Sequence, residues 1–237
     1  MEPASTQSLR LAIDDTQSVS ALLCAPADAH AGYVFAHGAG AGMEHRFMAD
    51  FAGGLAARGI ATLRYQFPFM EQGSKRPDTP KLAHAAVRAA VAEAARRLPG
   101  LPLLAGGKSF GGRMTSQAQA LSPLPGVRGL AFVGFPLHPA GKPSDERAAH
   151  LFKVALPMLF LQGTRDELAD LALLQPVVDR LGSRATLALF DDADHAFHVR
   201  ARSGRTDAQT LESMLDAMAR WAASITGQVQ AIPAAPL

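Results

Sequence analysis

The chain has 237 residues, 48% of them hydrophobic, which is enough to bury the core of one substantial domain. Its formal charge of +2 comes from 23 basic and 21 acidic residues that are scattered along the chain, without a basic stripe or a charged block. This distribution argues against binding to nucleic acid or to an anionic membrane surface.

The first half of the chain alternates short apolar runs with longer amphipathic ones, the pattern of a mostly parallel sheet covered by helices. The predicted strands here are Leu9–Ile13, Val19–Cys24, Tyr33–Ala36 and Ile60–Tyr65, of which the first two form an antiparallel pair. A glycine-rich loop, His37–Gly42, follows the third strand. One helix is predicted over Arg46–Arg58, ending at Gly59, and another begins at Thr79-Pro80.

The second half repeats the alternation. Its predicted strands are Leu101–Ala105, Gly129–Gly134, Pro157–Gln162 and Ala185–Phe190. Its predicted helices are Gly112–Leu121, Leu168–Leu181 and one that begins near Thr206. The whole chain, 1–237, is therefore predicted to be a single α/β domain, with a frayed tail over 228–237.

A Gly-x-Ser-x-Gly pentad, Gly107–Gly111, lies between a predicted strand and a predicted helix. In this setting the pentad indicates a nucleophile elbow, in which glycines let strand and helix approach closely and the serine hydroxyl projects from a strained turn. The pentad is short enough to occur by chance, so the interpretation depends on its context. Ser109 is the candidate nucleophile.

A serine hydroxyl needs a base to accept its proton, and that base needs an orienting acid. His195 follows the last predicted strand and Asp166 follows the strand before it, so both lie at the carboxyl edge of the predicted sheet. The order Ser109, Asp166, His195 is the one found in α/β-hydrolases. Asp194 is an alternative acid, but a sequence neighbour rarely presents its carboxylate to the adjacent imidazole ring.

An oxyanion hole is the remaining requirement of acyl transfer, because the tetrahedral intermediate places negative charge on one oxygen. The backbone N–H of Phe110 is one candidate donor. The other is that of Ala39, which follows His37-Gly38 in the glycine-rich loop. The alternative for this loop is a simple glycine-rich turn.

These motifs together resemble the α/β-hydrolase superfamily, and more narrowly its small dienelactone-hydrolase-like bacterial members. Within that group the chain is similar to the hydrolase-like domain of testis-expressed and chromatin-complex (NSL) subunit proteins. The stretches that carry the similarity are His37–Gly40, Gly106–Arg113, Gly134–Pro143 and Gln162–Asp166. Dienelactone hydrolase uses a cysteine where this chain has Ser109, so the resemblance does not imply its particular reaction. Because the narrower group includes assembly subunits, a non-catalytic interaction module is the second functional hypothesis.

Other chemistry fits the sequence less well. A phosphate-binding loop around Gly107-Lys108-Ser109 would need glycine where the chain has Pro102. The acidic segment before His195 lacks the ligand spacing of zinc hydrolases, so no metal and no cofactor are predicted. Lys108 is interpreted as a solvated lysine and Arg113 as a structural ion-pair partner, in preference to contacts with an anionic substrate.

The predicted function is hydrolysis of a small-molecule acyl substrate, an ester or thioester, through an acyl-enzyme at Ser109. The connection Phe135–Leu156 has 22 residues and three prolines, which is too short and polar for a lipase-type lid. The lone cysteine, Cys24, lies in an apolar run and is predicted to be buried. With no export leader and no long apolar segment, the protein is expected to be cytoplasmic.

Overall fold

The computed structural model describes residues 5–227, so the tail predicted over 228–237 lies outside the described residues. Within them, eight strands form one sheet in the order β1-β2-β4-β3-β5-β6-β7-β8. The strands are β1 Thr6–Ala12, β2 Ser18–Cys24, β3 Ala31–Ala36, β4 Ile60–Tyr65, β5 Leu103–Lys108, β6 Val127–Val133, β7 Met158–Gly163 and β8 Ala185–Phe190. Both pairings of β2 are antiparallel, and every other pairing is parallel.

Helices cover both faces of this sheet. They are α1 Arg46–Ala56, α2 Pro68–Glu71, α3 Pro80–Arg97, α4 Phe110–Leu121, α5 Leu171–Leu181 and α6 Asp207–Thr226. Short 3₁₀ helices lie at Glu146–Lys153, Gly182–Arg184 and Ala201–Ser203. The mostly parallel α/β sheet predicted from the sequence is confirmed, whereas α2 and the 3₁₀ helices were not predicted.

The core lies in two layers, one on each face of the sheet, and β3 shows how one strand serves both. Tyr33 and Phe35 pack into the layer that contains α1 and α6, while Val34 and Ala36 pack into the layer that contains α3 and α4. All six residues of β3 are buried. The central strands are apolar without alternation because both of their faces are covered.

The parallel strands bring the candidate residues to one edge of the sheet. Ser109 follows β5, Asp166 follows β7 and His195 follows β8, while the loop His37–Gly42 follows β3. Since parallel strands end on the same side, residues far apart in sequence meet at this carboxyl edge, where ligands bind in open α/β sheets.

Candidate active site

Ser109 is the single residue between β5 and α4, and its backbone is strained. It adopts φ 50° and ψ −116°, in the positive-φ region that non-glycine residues rarely occupy. Its N–H donates to the Val133 carbonyl at 3.1 Å, which ties the turn to the neighbouring strand. The strand was predicted to end at Ala105 but continues to Lys108, so the turn is tighter than the sequence suggested. Strain of this kind, about 1–3 kcal/mol per residue, is concentrated at functional sites.

Two glycines of the pentad are required by close backbone approach. A Cβ on Gly107 would lie 2.4 Å from the Ala36 carbonyl oxygen, and a Cβ on Gly111 would lie 2.5 Å from the His37 carbonyl oxygen. Neither oxygen can move without displacing β3 or the loop that follows it. The glycines therefore let β5 and α4 pack directly against the end of β3.

The structure brings Ser109, His195 and Asp166 into one hydrogen-bonded chain. His195 Nε2 lies 2.8 Å from Ser109 Oγ, and His195 Nδ1 lies 2.7 Å from Asp166 Oδ2. Because a carboxylate only accepts hydrogen bonds, this network assigns the ring proton to Nδ1 and leaves Nε2 to accept from the serine hydroxyl. The Asp166 side chain is fully buried, whereas 26% of the His195 side chain is exposed.

Asp166 is held by neighbours that the sequence analysis did not identify. Its Oδ2 accepts from the Gln162 side-chain amide at 2.5 Å, and its Oδ1 accepts from the Leu168 N–H at 2.8 Å. The amide oxygen of Gln162 in turn accepts from the Phe135 N–H at 2.9 Å. Gln162 is completely buried near the end of the otherwise apolar strand β7, and this polar residue in an apolar run was the available sequence signal.

Lys108 is not the solvated lysine that the sequence analysis predicted. Its ammonium donates to the His195 carbonyl at 2.5 Å and lies 5.3 Å from the centroid of the Phe197 ring. Burial lowers the pKa of Lys108 to about 8, against the opposing pull of the Asp166 and Asp194 charges. The prediction was wrong because the elbow turns this side chain toward the histidine loop, and the lysine anchors that loop.

The loop after β3 lies against the elbow. A Cβ on Gly38 would be 3.7 Å from Ser109 Cβ. The His37 ring holds the loop in place, because its Nδ1 lies 2.6 Å from the Gly38 carbonyl oxygen and its Nε2 accepts from the Phe67 N–H at 3.0 Å. Burial lowers the pKa of His37 to about 4, so the ring is neutral at neutral pH.

Backbone donors remain available beside the serine. Among residues 5–227, neither the Phe110 N–H nor the Ala39 N–H donates to another protein group. Phe110 begins α4, and the first N–H groups of a helix have no intrahelical acceptor. Ala39 follows Gly38, which packs on the serine. Within the described residues, both N–H groups thus lack a protein acceptor and are candidate donors to a ligand.

Arg113 is not an ion-pair partner within the described part of the chain, contrary to the sequence interpretation. No carboxylate there pairs with it. Its Nε is buried without a hydrogen-bond partner, and burial, then the neighbouring Arg147 charge, lowers its pKa. No carboxylate from residues 5–227 reaches Arg113, and the sequence alone could not show this because it depends on packing around the first turn of α4.

The acidic residues near His195 make hydrogen bonds and an ion pair within the protein. Asp194 Oδ1 accepts from the N–H groups of Ala196 and His198, which closes the turn, and His198 pairs with Asp207 at 2.8 Å. No group of three or more potential metal ligands occurs in residues 5–227. Over the same range, none of the helices is both long enough and apolar enough to span a membrane.

Comparison with models of known families shows which family the chain belongs to. A model of the alpha/beta hydrolase domain matches residues 29–223, which is most of the chain. This protein belongs to the alpha/beta hydrolase domain family. The eight-stranded sheet, with its serine between β5 and α4, is thus the α/β-hydrolase fold, as predicted.

Solved structures share this fold at low sequence identity. A dienelactone hydrolase from Anabaena variabilis is 19% identical with a TM-score of 0.75, covering 94% of this chain and 99% of that one. A serine hydrolase without a lid from Xanthomonas campestris is 20% identical with a TM-score of 0.71, covering 100% and 99%. Est1E from Butyrivibrio proteoclasticus, solved with ferulic acid bound, is 16% identical with a TM-score of 0.72, covering 92% of this chain and 99% of that one. At these identities the similarity establishes the fold.

Proposed function

We propose that this α/β-hydrolase cleaves a small, soluble carboxylic ester or thioester by forming an acyl-enzyme at Ser109. The observation that carries the proposal is the strained serine whose Oγ lies 2.8 Å from His195 Nε2, with Asp166 2.7 Å from the other ring nitrogen. This is the arrangement of nucleophile, base and orienting acid that acyl transfer requires.

Each proposed role follows from the hydrogen bonds. Ser109 Oγ attacks the carbonyl carbon while His195 Nε2 accepts its proton, and Asp166 stabilises the resulting imidazolium. The free N–H groups of Phe110 and Ala39 bind the oxyanion of the tetrahedral intermediate. His195 then returns the proton to the leaving alcohol or thiol as the bond to the carbonyl carbon breaks.

Deacylation uses the same groups in reverse. Water attacks the acyl carbon as His195 accepts its proton, and the proton passes back to Ser109 Oγ when the acid product departs. The ring alternates between base and acid without help from a metal or cofactor in this scheme. Amide or carbon–carbon bond cleavage would use these residues as well, so the substrate screen should include those classes.

The test compares wild-type protein with Ser109→Ala in two measurements, covalent labelling of the serine and ester hydrolysis. The wild-type protein should react with a fluorophosphonate probe and hydrolyse p-nitrophenyl butyrate, and Ser109→Ala should lose labelling and at least about 10⁴-fold in kcat. Ser122→Ala, at the exposed end of α4, is the matched control and should retain both. A folded wild-type protein that is inert to the probe would instead favour the non-catalytic module suggested by the resemblance to chromatin-complex subunits.

A further inference from the structure

The first turn of α4 carries a cation without an acidic partner. Arg113 is half-buried, and its enclosed Nε has no hydrogen-bond partner within residues 5–227. The guanidinium carbon lies 5.9 Å from the centroid of the Phe110 ring, which belongs to the residue directly after Ser109. Buried polar side-chain atoms are normally hydrogen-bonded, so an enclosed Nε with no acceptor in residues 5–227 leaves this guanidinium available to a ligand.

A second arginine, Arg147, lies on the 3₁₀ helix that packs against α4. Where this helix, Glu146–Lys153, packs against α4, His150 Nε2 lies 2.8 Å from Ser116 Oγ. The positive charge of Arg147, on the same 3₁₀ helix, contributes to the lowered pKa of Arg113. Arg113 is three residues before Ser116, and Arg147 is three residues before His150, the two residues that the 2.8 Å contact joins. Within residues 5–227, no carboxylate forms an ion pair with either arginine.

Arg113 lies close in the fold to the proposed nucleophile. The Arg113 N–H donates to the Ser109 carbonyl at 3.2 Å, so one helical turn, about 6 Å along the axis, separates the two residues. The positive end of the α4 dipole lies next to Ser109, so it adds to the positive potential at this end of the helix. An acyl chain that runs from Ser109 past the Phe110 ring would lead a terminal anion toward the Arg113 guanidinium.

We infer that Arg113 and Arg147 form an anion subsite that binds a carboxylate at the far end of a short acyl chain, which would make half-esters or half-thioesters of dicarboxylic acids the preferred substrates. The inference rests on the proposed function and adds a substrate class to it. A carboxylate suits the site because the guanidinium fork presents two parallel donors to its two oxygens. It would also supply the negative charge that separates the two cations.

The test compares two substrates of equal chain length that differ in the terminal group. Mono-p-nitrophenyl glutarate ends in a carboxylate, and p-nitrophenyl valerate ends in a methyl group. The wild-type protein should hydrolyse the glutarate ester with the higher kcat/KM. Arg113→Gln and Arg147→Gln should each lower kcat/KM for the glutarate ester by about 10- to 100-fold and leave that for the valerate ester within about 2-fold.

Arg128→Gln is the matched control, because it removes the same charge from an exposed site in a groove at the opposite edge of the sheet. It should not alter the preference, which separates a local subsite from the overall electrostatic field. A wild-type protein that hydrolyses both esters equally well, or an Arg113→Gln variant that loses both alike, would overturn the subsite but leave the proposed function standing.

Binding provides a readout that does not need turnover. In Ser109→Ala, calorimetry should detect mono-p-nitrophenyl glutarate with a Kd at least about 10-fold lower than that of the valerate ester, and adding Arg147→Gln should remove the difference. If the glutarate ester binds selectively but the wild-type protein hydrolyses neither ester, the proposed function fails while the subsite stands. Equal binding of the two esters would refute the subsite.

Discussion

His195 is fixed from several directions, and each contact has a separate origin in the sequence. Asp166 orients the ring from the loop after β7, and Lys108 holds the His195 backbone from the end of β5. Gly134 packs under the ring, since a Cβ there would lie 3.4 Å from His195 Nδ1 and 3.0 Å from the lysine ammonium. The position of the proposed base therefore depends on residues at the ends of three strands.

Replacing Asp166 with Asn should test which acid orients the base. Asp166→Asn keeps the shape of the side chain but no longer favours the ring tautomer with its proton on Nδ1, so kcat should fall about 10³- to 10⁴-fold. Asp194→Asn is the control, because its Oδ1 accepts only backbone N–H groups in the turn, and kcat should change by less than about 3-fold. A larger loss in Asp194→Asn than in Asp166→Asn would make Asp194 the orienting acid.

Lys108→Met should separate anchoring of the histidine loop from surface charge. The substitution leaves the His195 carbonyl without its donor, which costs about 1–3 kcal/mol and lets the loop shift, so kcat should fall about 10-fold with little change in KM. Steady-state kinetics and thermal melting measure the two effects. Lys142→Met removes an exposed lysine and should behave as wild type. Unchanged kcat in Lys108→Met would show that the contact has no positioning role.

For single residues, the sequence was enough to choose the candidate site residues but not to predict which side chains surround them. Ser109, Asp166 and His195 could be chosen because each follows a strand, and acyl transfer needs those three groups. The roles of Lys108 and Arg113 could not be read, since both depend on which side chains the turn and the 3₁₀ helix bring near. Gln162 was overlooked although a buried amide in an apolar strand calls for a partner.

Among the secondary-structure elements, the contact of β3 and the loop after it with the nucleophile elbow allows few residue types at several positions. It requires Gly107 and Gly111, whose added Cβ atoms would collide with backbone oxygens at 2.4 and 2.5 Å. It also requires His37, whose neutral ring bridges Gly38 and Phe67. A protonated ring would turn an N–H toward the Phe67 N–H, so protonation of His37 should destabilise this loop.

This loop should make the protein sensitive to acid. The pKa of His37 is about 4 in the folded protein, below its ordinary value of 6.5, so the unfolded state takes up the proton first as the pH falls. Stability should therefore decline between about pH 6.5 and pH 4, by up to about 3 kcal/mol from this residue. Urea unfolding at several pH values measures it. His37→Gln should be less stable at pH 7 and show a shallower decline; an equally steep decline in the variant would exclude His37 as its source.

The strands were predictable because β-branched and leucine-rich runs between glycines have few alternatives. Element ends were less so. The helix predicted from Leu168 begins at Leu171, because the Asp170 side chain accepts from the Ala172 N–H at 2.9 Å and caps it there. The 3₁₀ helix Glu146–Lys153 was missed because its position depends on packing against α4, which local sequence does not encode.

For the whole molecule, the parallel sheet explains why distant residues form one site. The α/β class and the order Ser109, Asp166, His195 were enough to predict that three loops meet at one edge. The distances that join them depend on strand order and twist, with β3 and β5 adjacent at the centre of the sheet, and no local pattern in the sequence specifies that order. The sequence was thus enough to choose three residues that meet in the fold, while the distances between them needed the structure.

The same architecture bears on substrate size. The segment between β6 and β7 forms a 3₁₀ helix that packs on α4, and 26% of the His195 side chain is exposed. A lipase lid is an apolar flap that covers the site until it meets an oil surface, and this segment is short and polar.

We therefore expect p-nitrophenyl butyrate to be hydrolysed at least about 100-fold faster than emulsified long-chain triglyceride. We also expect no jump in rate as a short-chain triglyceride passes its solubility limit. Titration of released acid measures both, and faster turnover of the emulsion would mean that the segment opens onto an apolar surface.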